Sequence, residues 1–155
     1  MSTKSTNFTF EIKRNWHLLD AKNFTLGRLA SKASFFLQGK NKASYSPQSD
    51  CGDFVVVADV KSLKVSHQGK LKGKKYFHYS GYPGGIKERS LKDILDKDPK
   101  ELLKLAVYRM LPKNKLRAVR MNRLKMFLDE QEGQELVASM KNKSKAEAKV
   151  TPEKK

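Results

Sequence analysis

Five consecutive apolar residues, Phe54-Val55-Val56-Val57-Ala58, restrict the fold more than any other stretch of the chain. Three adjacent valines are stiff at χ1 and suit an extended backbone. A strand without polar alternation is apolar on both faces, so it belongs inside a sheet that is covered on both sides. Around it the periodicity changes repeatedly. Trp16 to Ala21 reads as a short buried strand. Leu26, Leu29, Ala30, Ala33 and Leu37 then form a helical stripe, opened by Thr25 as cap and closed by Gly39 in the left-handed conformation. Gly39 to Asp53 is a loop. Leu63 to Ser66 is expected as a third strand, Gly69 to Gly73 as a turn, and Tyr76 to Tyr79 as a fourth strand. Ser80 to Gly85 is a loop by its glycine and proline content, and Ser90 with Asp93 is a capping box opening a short helix. This alternation predicts a single α/β sandwich domain with a modest core.

The segment from Asp98 to Phe127 predicts two helices broken at Pro112. Asp98 suits the N-cap, Pro99 the first helical position, and Glu101 the acid of a capping box. Leu102, Leu103, Ala106, Val107 and Met110 share one face. The second half carries Lys113, Lys115, Arg117, Arg120, Arg123 and Lys125, and no acid occurs between Leu102 and Leu128. Arg117, Arg120 and Arg123 are three apart and fall along one side of a helix. Exposed arginines commonly alternate with acids at i, i+4. Without such acids, the arm is expected to find its partner in a nucleic-acid backbone, which arginine matches with a forked set of donors.

The charge budget points the same way. The formal net charge is +17, and residues 129–155 hold six acids and six lysines, so residues 1–128 carry all of it as 27 basic minus 10 acidic groups. A body this cationic repels itself unless a polyanion neutralises it. No run of about 18 apolar residues exists to span a bilayer, and no apolar segment follows the N-terminus as a secretory signal would. The single cysteine, Cys51, excludes an intramolecular disulfide framework and a cysteine-cluster zinc site and fits an intracellular location. It reads as a buried apolar residue.

Catalytic readings are thin. His17, His67 and His78 are not spaced with one another, or with Cys51 or a carboxylate, as a metal site requires. Cys51 with His78 is the one conceivable nucleophile–base pair, and nothing in the sequence brings them together. Asp50 and Asp53 are expected to bond the backbone of their own loop. Gly81, Gly84 and Gly85 lack the Lys-Ser/Thr ending of a phosphate-binding loop. As a place where backbone N–H groups approach RNA phosphates the loop is reasonable, and Tyr76, Tyr79 and Tyr82 around it offer stacking surfaces or core packing. Arg28 and Lys32 fit a solvated helix face as well as a contact surface. No helix-turn-helix, zinc-finger or zipper pattern favours DNA.

Several motifs together carry a resemblance. They are Asp20-Ala21 with Leu26-Gly27-Arg28-Leu29-Ala30-Ser31, then Gly39-Lys40, Lys42-Ala43, Tyr45 and Pro47, then Asp50-Cys51-Gly52-Asp53. Tyr76, His78 and Ser80-Gly81-Tyr82-Pro83-Gly84-Gly85 follow, then Met110-Leu111-Pro112-Lys113-Asn114 with Leu116-Arg117, and Arg123-Leu124-Lys125. In this order, over roughly residues 14–128, the chain resembles the universal ribosomal large-subunit protein thirteen family in its bacterial form. The resemblance implies a three-layer α/β/α sandwich around a four-stranded, mostly parallel sheet, with basic loops and a C-terminal helical arm. It implies a structural, non-enzymatic constituent of the large ribosomal subunit in the cytoplasm. Such a protein binds 23S-type rRNA, touches neighbouring large-subunit proteins and supports assembly, with no membrane, small-molecule substrate or cofactor.

The candidate rRNA-binding residues are Arg14, Arg28, Lys40, Lys42, Lys75, His78, Tyr79, Ser80, Tyr82, Gly84, Gly85, Lys113, Lys115, Arg117, Arg120 and Arg123. Residues 1–13 are expected to be a flexible extension, 14–128 the domain, and 129–155 a variable, largely disordered tail in which Leu136, Val137 and Met140 extend a short helix. The chain departs from the family pattern at Gln48, at Ala58-Asp59, at Ser66-His67 and at Arg109, which adds charge beside the arm.

Overall fold

The structure, a computed structural model, describes residues 14–67 and 69–150, and side chains as far as residue 140. The expected N-terminal extension, residues 1–13, and the last five positions of the tail lie outside the described residues. The elements run β1 (Trp16–Asp20), α1 (Leu26–Gln38), β2 (Phe54–Ala58), α2 (Gly69–Gly73), β3 (Lys75–Tyr79) and β4 (Ile86–Ser90). They continue with α3 (Leu91–Lys97), α4 (Pro99–Met110), α5 (Leu116–Asn122), β5 (Leu124–Met126) and α6 (Glu130–Val150).

β2 is central, as its unbroken apolar run requires. It pairs in parallel with β1, Trp16 opposite Phe54 through Asp20 opposite Ala58, and in parallel with β5, Val55 opposite Leu124. On one face Val55, Val57 and Leu19 join the α1 stripe of Leu26, Leu29, Ala30, Ala33 and Leu37 in the main core. Leu102, Leu103 and Val107 of α4 pack on the same core. The other face is covered by α6: Val56, Ala58 and Val137 are buried, and Gly133 lies so close that a Cβ there would stand 2.9 Å from the Ala58 Cβ.

Among the described residues the parallel sheet has three strands rather than the expected four, and β3 pairs with β4 in a separate antiparallel hairpin. Leu63 to Ser66 contributes one bridge, Lys64 to Thr25, and only Leu63 of these residues is buried. β4 was not legible because Ile86-Lys87-Glu88-Arg89-Ser90 has no apolar alternation: Ile86 to Arg89 are exposed, and only Tyr76 of the facing strand is buried. The expected turn at Gly69–Gly73 is instead one turn of helix.

The helix ends follow their capping chemistry. Ser90 and Asp93 form the reciprocal capping box, with bonds of 3.1 and 3.2 Å. Asp98 accepts the Lys100 N–H at 2.9 Å, with Pro99 in the first turn of α4. Glu101 does not close a capping box on Asp98, because Lys100 rather than the third position supplies the bonded N–H. Thr25 is the N-cap of α1 by position without a side-chain bond. Gly39 ends α1 at φ 79°, and a Cβ there would stand 2.6 Å from the Cys51 carbonyl oxygen. The stretch assigned by composition to the tail begins as α6, whose helical backbone runs to Val150.

Candidate nucleic-acid interface

The arm after Pro112 is built differently on its two sides. Lys113 and Lys115 are exposed, with no carboxylate in ion-pair range among the described residues. Arg117 folds back: its Nε donates to the Pro112 carbonyl at 3.0 Å and one Nη to the Leu111 carbonyl at 3.1 Å. Its guanidinium lies 4.4 Å from the centre of the Tyr108 ring. Arg117 therefore fastens the elbow between α4 and α5.

Arg120 and Arg123, expected to lack partners, have one. Both are buried, at 2% and 5% exposure, and both turn toward Asp50 in the loop after α1. Arg123 donates from both Nη atoms to the two Asp50 carboxylate oxygens at 2.5 Å, and Arg120 Nε stands 3.8 Å from Oδ1. Exposed Arg14 adds a third guanidinium, with Nη2 3.4 Å from Oδ2. Burial works to raise the Asp50 carboxyl, but the Arg123 bonds and the charges of Arg123, Arg14 and Arg120 outweigh it and hold the group below its ordinary value. Among the described residues, Arg120 Nε and Arg123 Nε are buried without a hydrogen-bond partner. Three guanidiniums on one carboxylate leave the cluster cationic.

Asp53 anchors a second cluster. It is fully buried and accepts the Asn15 N–H at 3.0 Å, His17 Nε2 at 2.9 Å, Asn41 at 3.3 Å and the Lys42 ammonium. Desolvation pushes its carboxyl up. Lys42, the Asn15 N–H, His17 and Asn41 pull it further down, so the net shift is downward. The His17 ring stacks on Phe36 at 4.1 Å. Neither aspartate bonds the backbone of its own loop as expected. Each instead ties that loop to residues from other elements. Of the candidate cations, Lys42 is thus half-buried against Asp53 and donates to the Cys51 carbonyl at 3.1 Å, while Lys40 and Arg28 are exposed.

The hairpin of β3 and β4 presents the rest. His78, Tyr79, Ser80, Tyr82 and Gly84 are exposed, and Gly85 is half-buried where its N–H bonds the Tyr82 carbonyl. Lys75 pairs with Glu88 at 2.8 Å. Tyr76 is the core member of the aromatic run, and Phe77, Tyr79, Tyr82 and Ile86 stand out from the body at 57–75% exposure. The hairpin register sets Lys75, Phe77, Tyr79, Ile86 and Glu88 on one face and Tyr76, His78, Lys87 and Arg89 on the other. Pattern reading passed over Lys87 and Arg89, because β4 has no apolar signal to mark it as a strand.

Cys51 is buried with its thiol directed at the Ser44 carbonyl (3.4 Å), and His78 is exposed on β3; no hydrogen bond joins them. Among the described residues no group of three or more His, Cys, Asp or Glu side chains is placed to hold a metal ion, and no helix is long and apolar enough to cross a membrane.

Fold and surface together define a class: a small basic α/β domain in which Asp50 and Asp53 are internal anchors and exposed cations outnumber exposed acids. Comparison with known proteins gives the class its family. The chain matches the family described as Ribosomal protein L13 over residues 14–133, and it belongs to that family. It is 48% identical to the large ribosomal subunit protein uL13 of Aquifex aeolicus over 117 residues, 76% of this chain and 81% of the relative. It is 47% identical to the protein of the same name from Clostridioides difficile over 118 residues, 76% and 81% of the two chains. The family is one of structural ribosomal proteins and not of enzymes. The matched region ends at the first turn of α6, so most of that helix lies beyond it.

Proposed function

We propose that the chain is a structural constituent of the large ribosomal subunit that binds 23S-type rRNA, touches neighbouring large-subunit proteins and supports subunit assembly in the cytoplasm. The name of its relatives, large ribosomal subunit protein uL13, supplies the subunit. One observation carries the RNA reading: Asp50 and Asp53 are held internally by Arg120, Arg123, Arg14 and Lys42, while Lys113, Lys115 and Lys40 remain on the surface. Lysine ammoniums on mobile stems suit phosphate contact as point charges. The exposed Tyr79 and Tyr82 suit stacking on unpaired bases or riboses. The mechanism is charge neutralisation with shape fit, in which lysines and arginines replace counterions and let separate RNA segments pack.

Binding to an rRNA fragment should fall with salt by about 0.7–0.9 in log K per log salt for each phosphate neutralised. A flat salt response sinks the reading. The competing reading, a regulatory RNA-binding protein acting off the ribosome, requires abundant free protein; co-sedimentation of nearly all the chain with large subunits disposes of it.

A further inference from the structure

Between the β3–β4 hairpin and helices α3 and α4 lies a groove of about 310 Å³, at the small end of the range for ligand clefts. Ile94 and Leu105 are apolar members of its lining. The hairpin register turns Tyr76, His78, Lys87 and Arg89 to one face, and this face overhangs the groove. Arg109 of α4 stacks over the Tyr76 ring, 4.8 Å from its centre, and with Lys87 and Arg89 gives the lining three cations.

One acid lines the same space. Glu101 makes no helix cap, and its single ionic neighbour among the described residues, Arg89, stands at 3.7 Å, beyond hydrogen-bond range. Its carboxylate oxygens are thus open to a better donor. The groove therefore combines apolar lining from Ile94 and Leu105, a surplus of positive charge in the same lining, and one carboxylate with unused acceptor capacity. An apolar peptide would cover these charges without satisfying them, at the cost of their desolvation.

We propose that this groove takes a single unstacked guanine nucleotide of the bound RNA, a reading that rests on the rRNA-binding function above. The base lies against Ile94 and Leu105, its phosphate meets the lining cations, and its Watson–Crick edge meets Glu101. Guanine is the base whose edge offers two adjacent donors, N1–H and N2–H, and a carboxylate accepts both at once.

The test uses the full-length chain, with the Ile94 and Leu105 methyl signals followed by NMR as guanosine monophosphate, adenosine monophosphate or inorganic phosphate is added. Guanosine monophosphate should shift both methyls at about tenfold lower concentration than adenosine monophosphate, the discrimination of one good bidentate contact. Inorganic phosphate should leave them in place. Glu101→Gln should reduce the guanine preference to less than about twofold, since an amide offers one acceptor oxygen and places donors against donors. Equal titration by the two nucleotides, the same shifts with phosphate alone, or still methyls would each overturn the proposal. Salt-dependent binding of an rRNA fragment to the same sample separates the two readings. A retained salt slope with still methyls removes the groove alone, and a flat slope removes the RNA reading and the groove with it.

Discussion

Arg123 holds Asp50 through two parallel bonds, Nη1 to Oδ2 and Nη2 to Oδ1, each 2.5 Å long and spanning 73 positions of sequence. The pair ties the C-terminal end of α5 to the loop that follows α1. Three residues further along that loop, Asp53 ties it to β1 through Asn15 and His17. Gly52 sits between the two anchors with no room to spare: a Cβ there would run into the Leu37 carbonyl and stand 2.8 Å from an Arg123 Nη. The loop is a clasp that joins the first and last strands of the parallel sheet.

Breaking the clasp should cost stability rather than RNA contact alone. Asp50→Asn leaves Arg120 and Arg123 buried without their carboxylate, a situation that costs about 3–5 kcal/mol in buried pairs and about 2–3 kcal/mol here, where Asp50 keeps 17% side-chain exposure. Arg123→Lys should recover little, because an ammonium cannot make the two-point bond. Urea unfolding of both variants measures this; a midpoint unchanged from that of the natural chain would show the clasp to be energetically idle.

Acid should open the same clasp. Asp50 and Asp53 both have carboxyls held below the ordinary value, so their contribution is complete above the unfolded-state pKa of about 4 and is lost as pH falls through the lower folded values. The urea midpoint attributable to these groups should be level from pH 7 to about 5 and decline below about 4. Asp53→Asn should lower the plateau and flatten the acid limb. A decline of the natural chain's midpoint that is already complete at pH 5 would assign the transition to other groups.

The parts of the fold that were legible are those with a local signal. The α1 stripe repeats at helical spacing and every member is buried; β2 reads as central because no polar residue interrupts it; Ser90 and Asp93 are three apart and bond each other. What escaped was non-local or lacked hydrophobic contrast. Nothing in residues 113–125 reveals that their acid stands at Asp50, and a row of arginines at every third position looks the same whether it faces water or a buried carboxylate. β4 escaped because its residues Ile86 to Arg89 are exposed and its pairing with β3 rests on backbone bonds and one buried neighbour, Tyr76. Glu101 escaped for the opposite reason: its position suited a cap that Asp98 completed with Lys100 instead.

The arm should divide by residue type under substitution. Lys113→Ala with Lys115→Ala should leave the melting temperature within about 1 °C and lower the salt slope of rRNA binding by about 0.7–0.9 for each lysine that meets a phosphate. Arg117→Ala should free the Leu111 and Pro112 carbonyls and the Tyr108 face, and Arg120→Ala should empty a fully buried site, so both should lower the melting temperature by several degrees. Thermal unfolding paired with salt titration reads both effects on each variant. Arginine variants that melt normally while losing salt dependence would return Arg117 and Arg120 to direct phosphate contact.

Helix α6 supplies the final expectation, because most of it lies beyond the family match yet it covers one face of the parallel sheet. Val137 is 4% exposed, while Val56 and Ala58 beneath this layer are at 0% and 1%. Removing residues 130–155 should uncover that face, on which Leu18 is already 40% exposed, and create a contiguous apolar patch with the stacked Trp16 and Phe54 rings. Val137→Ala should cost about 1–2 kcal/mol through lost burial. Gly133→Val should cost more despite its gain in helix propensity over glycine, because its branched side chain has no space against Ala58 and Val56. The truncated chain should unfold at lower urea and bind a dye for exposed apolar surface, whereas equal midpoints and no added dye binding would mean that α6 rests on the sheet without stabilising it.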